Sequence, residues 1–257
     1  MKDTIQFFFS WFGSKYKETK IIYPFLKLDN INTIVEPFCG SCGFSYYLFK
    51  NKELNNIKYH LNDFDKQLIL FLNDIKSDGT KKYIDYYNIN VEKYIKNKND
   101  WQTLVKIHDN LNEYFIYSHL RGRGNMKDIR RNHINDDRFI NVEKFIRMND
   151  TILTNKDYTE ILKKYHNKKN VLIFLDPPYF DSFNSMYMGM KGKTQIDNTQ
   201  MYINILNFLK TCKCQCMMIL NDCALFRYLF SEYIVHTYDK IYQSTKRHVK
   251  HIIIYKI

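Results

Sequence analysis

Five consecutive apolar residues, Val171-Leu172-Ile173-Phe174-Leu175, run straight into Asp176-Pro177-Pro178-Tyr179. No polar residue interrupts the run, so neither face of the strand it predicts is meant for water. That pattern belongs to a buried parallel strand in an open α/β sheet. Such sheets bind ligands in the crevice beyond the carboxyl ends of their strands, which is where Asp176 stands. The two prolines fix φ and carry no N–H, so the turn offers carbonyl acceptors without competing donors. A carboxylate, a rigid carbonyl and the ring of Tyr179 therefore fall together within four residues. The set suits a planar ring bearing an amine: the oxygens accept its N–H groups and the tyrosine packs on its face. A nucleobase is the obvious candidate. Read alone, the tetrapeptide also fits a plain Pro-Pro turn after a strand.

Further strands are predicted at Thr33-Ile34-Val35-Glu36, over 57–61 ending at Asn62-Asp63, over 216–220 and over 251–255. Helices are predicted over 44–49 and 66–75. Between the first strand and first helix lies Pro37-Phe38-Cys39-Gly40-Ser41-Cys42-Gly43, and Asp63 follows Gly40 by 23 residues. Strand, glycine turn, helix, strand and acidic residue is the order of a mononucleotide-binding half, with the acid placed for ribose hydroxyls. Plain turn glycines and a helix cap at Asn62-Asp63 would give the same pattern. Cys42 stands where Gly-x-Gly-x-x-Gly has its second glycine, which argues against a pyrophosphate cradle and a dinucleotide oxidoreductase.

Residues 78–149 lack this alternation and read as helical and polar. The chain is therefore predicted to be α/β, a Rossmann-like sheet with helices on both faces built from residues 1–77 and 150–257. A helical module, 78–149, is inserted.

The formal charge of +12 and pI near 9.2 fit a polyanionic partner. The abundance of Asn, Ile, Tyr and Phe, however, is that of an A+T-rich genome, which inflates lysine regardless of function. The position of the arginines says more. Residues 119–138 hold Arg121, Arg123, Lys127, Arg130, Arg131 and Arg138 against Asp128, Asp136 and Asp137, with Gly122 and Gly124 between. Arginine forks suit phosphates and guanine edges, and the glycines suit a loop entering a groove. An ordinary solvated basic loop is the plainer reading. A second strip, Lys246-Arg247-His248 with Lys250, is expected to precede the last strand.

Met1-Lys2-Asp3-Thr4 leads into only a short apolar patch, and no run reaches the length of a membrane span, so a cytoplasmic, non-secreted protein is expected. Cys212, Cys214 and Cys216 alternate as residues on one face of a strand would, unlike zinc-hairpin cysteines. Free thiols are expected, and no metal.

In order along the chain, Trp11-Phe12-Gly13-Ser14-Lys15, Val35-Glu36-Pro37-Phe38-Cys39-Gly40, Leu61-Asn62-Asp63 and Asp176-Pro177-Pro178-Tyr179 resemble the motifs of the Dam-like adenine-N6 DNA methyltransferases. The resemblance covers residues 1 to about 75 and about 150 to 257. It implies S-adenosylmethionine as cofactor, adenine in double-stranded DNA as substrate and a place in restriction-modification. It also implies that Trp11 and Lys15 contact the cofactor and that the backbone from Phe38 to Gly40 passes its amino-acid end. Asp63 would hold the ribose hydroxyls. Asn155-Lys156-Asp157-Tyr158 is similar to the segment meeting the cofactor's adenine, with Asp157 as the candidate. Asp176, Pro177 and Tyr179 would form the catalytic set, Asp176 also bordering the cofactor. Arg121, Arg123, Lys127, Arg130 and Arg131 would fall in the DNA-reading segment. The family's second loop glycine is Cys42 here, with Gly43 one place later.

An adenine amine is a weak nucleophile because its lone pair is delocalised. Accepting both its N–H groups, at Asp176 Oδ and the Pro177 carbonyl, favours a pyramidal nitrogen, while Tyr179 stacks on the base. Such a base must first leave the duplex. Cytosine-C5 methylation needs a cysteine nucleophile, normally after a proline, and no proline here precedes one. Protein-glutamine methyltransferases carry Asn where Asp176 stands. An RNA adenine-N6 methyltransferase and a catalytically impaired DNA-binding relative remain alternatives. A monomer or weak dimer is expected.

Overall fold

Continuous apolar strands alternating with amphipathic helices produce a seven-stranded sheet in the order β3-β2-β1-β4-β5-β7-β6. The strands are β1 (Thr33–Glu36), β2 (Lys58–Asn62), β3 (Thr151–Thr154), β4 (Val171–Leu175), β5 (Gln215–Asn221), β6 (Ile234–Ile241) and β7 (His248–Lys256). The computed structural model describes residues 13–52, 54, 56–82, 84–85, 140–148, 150–178, 198–241 and 248–257. Trp11, Tyr179, Arg121, Arg123, Lys127, Arg130, Arg131, Lys246 and Arg247 lie outside the described residues. The chain divides into two compact units. One is Met1–Thr19, Gly40–Asn55 and Lys66–Leu153; the other is Lys20–Cys39, Asn56–Asp65 and Thr154–Ile257.

In the second unit β1 pairs in parallel with β2 (Val35 with His60) and with β4 (Val35 with Ile173). β4 pairs in parallel with β5, while β7 runs antiparallel to both β5 and β6. The chain walks outward from β1 to β2, then returns on the other side of β1 as β4. This reversal makes a topological switch point, the position at which open α/β sheets bind ligands. All five residues of β4 are buried, as its unbroken apolar sequence demands.

One face of this sheet presents Val35, Ile173, Leu175, Met218, Leu220, Ile252 and Ile254 to a shared core. α5 (Tyr158–Tyr165) contributes Ile161, Leu162 and Tyr165, and α6 (Asn198–Thr211) contributes Met201, Tyr202, Ile205, Phe208 and Leu209. The spacing of the α6 set follows one helical face, so its sequence leaves no other way to bury them. Each fully buried side chain of this size contributes about 1.5–3 kcal/mol.

The described residues of the first unit are mostly helical. α2 (Gly43–Lys52), α3 (Lys66–Asp78) and α4 (Ile140–Arg147) enclose aromatic contacts, with Phe145 packed against Tyr46 at 5.7 Å and Phe49 at 5.3 Å between centroids. α3 stops at Gly79, whose φ of +81° is open to glycine at little cost. Glu143 of α4 then closes over that turn: its Oε2 accepts from the Thr80 N–H at 3.0 Å and hydroxyl at 2.9 Å.

Two expectations need correction, and one strand was missed. The cysteine triplet does not lie on one strand: Cys212 follows α6, Cys214 sits in the turn and only Cys216 lies in β5. All three are buried free thiols. His248 and Lys250 stand within β7 and do not precede it. β6 was not anticipated. It is an edge strand with a register shift between Ile234 and His236 and with largely exposed polar residues, so it carries no apolar run to announce it.

Candidate active site

In the first unit two loops meet at Gly43. A Cβ there would lie 2.7 Å from Ser14 Oγ and 2.8 Å from the Tyr16 nitrogen, so only glycine lets the 13–16 segment lie against the start of α2. The loop before it turns through left-handed backbone twice, at Gly40 (φ +46°) and at Cys42 (φ +59°). Cys42 thus adopts the conformation for which a glycine would be suited, at a cost of about 1–2 kcal/mol. Its thiol is buried, so the departure in residue type keeps the turn. Lys15 is only 3% exposed, and its ammonium donates to the Gly13 carbonyl at 2.8 Å. Ser14 Oγ and Ser41 Oγ are buried with no hydrogen-bond partner among the described residues.

In the second unit the sequence-predicted residues are drawn together around the ends of β1 and β2. Phe38 stacks on Tyr158 at 5.2 Å between centroids. Asp63 follows β2, its N–H donating to Thr154 O at 3.2 Å and its Oδ1 accepting from the Asp65 N–H at 2.9 Å. Asn155 clamps the same segment, donating to the carbonyls of Asp63 (2.9 Å) and Phe64 (3.0 Å). Asp157 caps α5, its Oδ1 accepting from the Thr159 N–H at 2.9 Å. That carboxylate has a structural task whatever else it does.

Asp176 leaves β4 beside β1 and is partly buried; Pro177 is buried. Sequence reasoning passed over two residues that shape these loops. The Tyr202 hydroxyl donates to the Pro178 carbonyl at 2.8 Å and so ties the turn to α6. Asn62 is fully buried, its amide donating to Pro37 O and Lys156 O, both at 3.0 Å, while its Oδ1 accepts from the Lys156 N–H at 3.0 Å. Asn62 sits within the Leu61-Asn62-Asp63 motif, and a polar residue at the buried end of a strand was the available signal. His60 is also fully buried, and burial pushes its pKa down to about 4, with Lys164 and Lys156 acting in the same direction.

A mixed sheet whose parallel part holds a switch point, with a glycine turn after its first strand and an Asp-Pro-Pro turn after its fourth, is a Rossmann-like architecture suited to a nucleotide-type cofactor. The chain belongs to the D12 class of N6 adenine-specific DNA methyltransferases, whose family model matches residues 11–246. It is similar to the Type II methyltransferase M.CviBI of Paramecium bursaria Chlorella virus NC1A, with 25% identity over 251 residues covering 91% of this chain and 89% of that one. A Pyrococcus horikoshii crystal structure assigned to RNA methyltransferases aligns with 93% of this chain and 80% of its own, at TM-score 0.41 and 8% identity. A human methyltransferase 10 domain containing protein aligns with 93% and 79%, at TM-score 0.41 and 10% identity. Likenesses of that size carry no weight for function. The family match does, and it decides for DNA over RNA: the protein is an adenine-N6 DNA methyltransferase.

Methyltransferases of this family use S-adenosylmethionine. Its amino-acid end carries a carboxylate and an ammonium, and its ribose carries two hydroxyls. The two orphaned serine hydroxyls beside Gly43 are of the kind a charged amino-acid group satisfies, since a buried hydroxyl without a partner costs about 1–3 kcal/mol. Asp63 has the chemistry for paired hydroxyls. The donor set of each unit fits the cofactor. Among the described residues, no helix is long and apolar enough to cross a membrane.

Proposed function

We propose that this methyltransferase acts on an adenine flipped out of double-stranded DNA within a short specific sequence, with Asp176 and the Pro177 carbonyl as the two acceptors for its amine. The name of its viral relative, a Type II methyltransferase, supports a short fixed site and a role in restriction-modification. S-adenosylmethionine, when bound, supplies a methyl group on a sulfonium. Lys15 and the backbone from Phe38 to Gly40 would hold its amino-acid end, and the family resemblance adds Trp11 as a cofactor contact. Asp63 would bind the ribose, and Asp157 would share its capping carboxylate with the adenine side.

Asp176 Oδ accepts one N–H of the target amine and Pro177 O the other, turning the nitrogen lone pair out of conjugation. As nitrogen gains the methyl group, Asp176 stands at the atom that must lose a proton. Tyr179 stacks on the base and offsets part of the few kcal/mol spent on unstacking it. Positioning does most of the rest, because the positive charge that arrives on nitrogen leaves with its proton and no new anion has to be stabilised. Residues 78–149 form the DNA-reading insert in this account, with Arg121, Arg123, Lys127, Arg130 and Arg131 on the phosphates and base edges.

The observation that carries the reading is the Tyr202 to Pro178 bond, which holds the Asp-Pro-Pro turn with one of its two proline carbonyls already engaged. The test is incubation of the purified protein with labelled S-adenosylmethionine and separate DNA and RNA pools, followed by nucleoside analysis. N6-methyladenine in DNA is expected. Label in RNA alone, or on another base, would overturn it.

A further inference from the structure

Buried and half-buried polar groups that meet the proposed cofactor loops form one hydrogen-bonded chain with a defined direction. The carbonyl of Pro37 and the peptide groups of Lys156 are fixed backbone, so they settle which end of the Asn62 amide is oxygen. Thr154 Oγ1 then donates its single proton to Asn62 Oδ1 at 2.7 Å. Having spent it, the hydroxyl can only accept from His60 Nε2, 2.8 Å away. A neutral imidazole protonated at Nε2 has a bare Nδ1, which accepts from the Tyr165 hydroxyl at 2.8 Å. Each proton from Tyr165 to Pro37 is assigned, and reversing one link would put two donors or two acceptors face to face.

Asn62 is where this chain meets the pocket. Its amide bridges the loop after β1, which leads into Phe38, and the loop after β3, which carries Asp157. We propose that Asn62 is a positioning residue for S-adenosylmethionine, held in a single orientation by the Tyr165, His60 and Thr154 relay. The relay sets the spacing of the two loops and so acts on cofactor affinity, through other residues, without touching the methyl group or the DNA. This inference rests on the reading above that Phe38, Asp63 and Asp157 border the cofactor.

Thr154→Val keeps the shape of the side chain and removes the relay's central hydroxyl, whereas Thr154→Ser keeps the hydroxyl. Calorimetric titration with S-adenosylmethionine should show Thr154→Val binding about tenfold more weakly, the scale of one lost hydrogen bond. Thr154→Ser should stay close to the parent, and the KM for DNA should be unchanged in both. A Thr154→Val protein that binds as the parent does, or a Thr154→Ser protein as weak as Thr154→Val, would overturn the proposal. Asp63→Ala separates the two levels. If it also binds normally, the pocket reading itself fails; if it binds weakly while Thr154→Val does not, only the positioning role fails. Should Thr154→Val not fold, Tyr165→Phe serves with nitrogen NMR of His60. The parent should show the Nε2-protonated tautomer at neutral pH, and Tyr165→Phe should lose that preference together with cofactor affinity. An Nδ1-protonated ring in the parent would overturn the relay.

Discussion

The Tyr202 hydroxyl donates to the Pro178 carbonyl at 2.8 Å, joining the buried face of α6 to the turn that carries Asp176. Tyr202 is 2% exposed and its ring packs 4.6 Å from that of Phe226, so Tyr202→Phe removes the bond and keeps the packing. Stability should fall by about 1 kcal/mol in urea titrations. The methylation rate should drop several-fold with cofactor affinity unchanged. A parent-like rate would mean that the prolines alone hold the turn.

His60 makes stability depend on pH. Its folded pKa lies near 4 against 6.5 when unfolded, because burial disfavours the imidazolium, as do Lys164 and Lys156. The lowered value favours the neutral ring in the fold. Its contribution is therefore complete above pH 6.5 and is lost as the pH falls toward 4, by on the order of 3 kcal/mol in total. Unfolding free energies at pH 7.5, 6 and 5 should follow that slope, and His60→Gln should flatten it. An equal slope in the variant would place the effect elsewhere.

Position 42 should invert the usual preference between glycine and alanine. At ordinary φ, alanine is the more stabilising of the two by several tenths of a kcal/mol. At φ +59°, Cys42→Gly should instead exceed Cys42→Ala by about 1 kcal/mol in chemical denaturation. Alanine faring better would show that the turn is not left-handed.

The arginine cluster, outside the described residues, is tested through salt. Changing Arg121 and Arg123 to Glu should weaken DNA binding and lower the slope of log affinity against log salt by about 2, one per lost phosphate contact. An unchanged slope would place these side chains away from the backbone of DNA.

The sheet was legible because its central strands are covered on both faces: Val171–Leu175 could be placed from its apolar run alone, and Thr33–Glu36 from its company with the glycine turn. β6 was hidden by the reverse condition, since an edge strand exposes the polar residues that mask its period. Cys212, Cys214 and Cys216 show how spacing misleads, for a period of two also arises when a helix ends and a turn begins. Within the candidate site, motif residues such as Asp63 could be proposed from type and place. Asn62, Thr154 and Tyr202 could not, because their roles depend on partners 24 to 94 residues away that only the fold brings near.

Asp176→Ala removes the carboxylate on which the proposed methyl transfer depends. The variant, incubated with labelled S-adenosylmethionine and DNA, should methylate at least about 100-fold more slowly, since it lacks the group that accepts the amine proton. Calorimetry should still detect cofactor binding through the remaining pocket. Turnover at the parent rate, with N6-methyladenine still formed, would contradict the account.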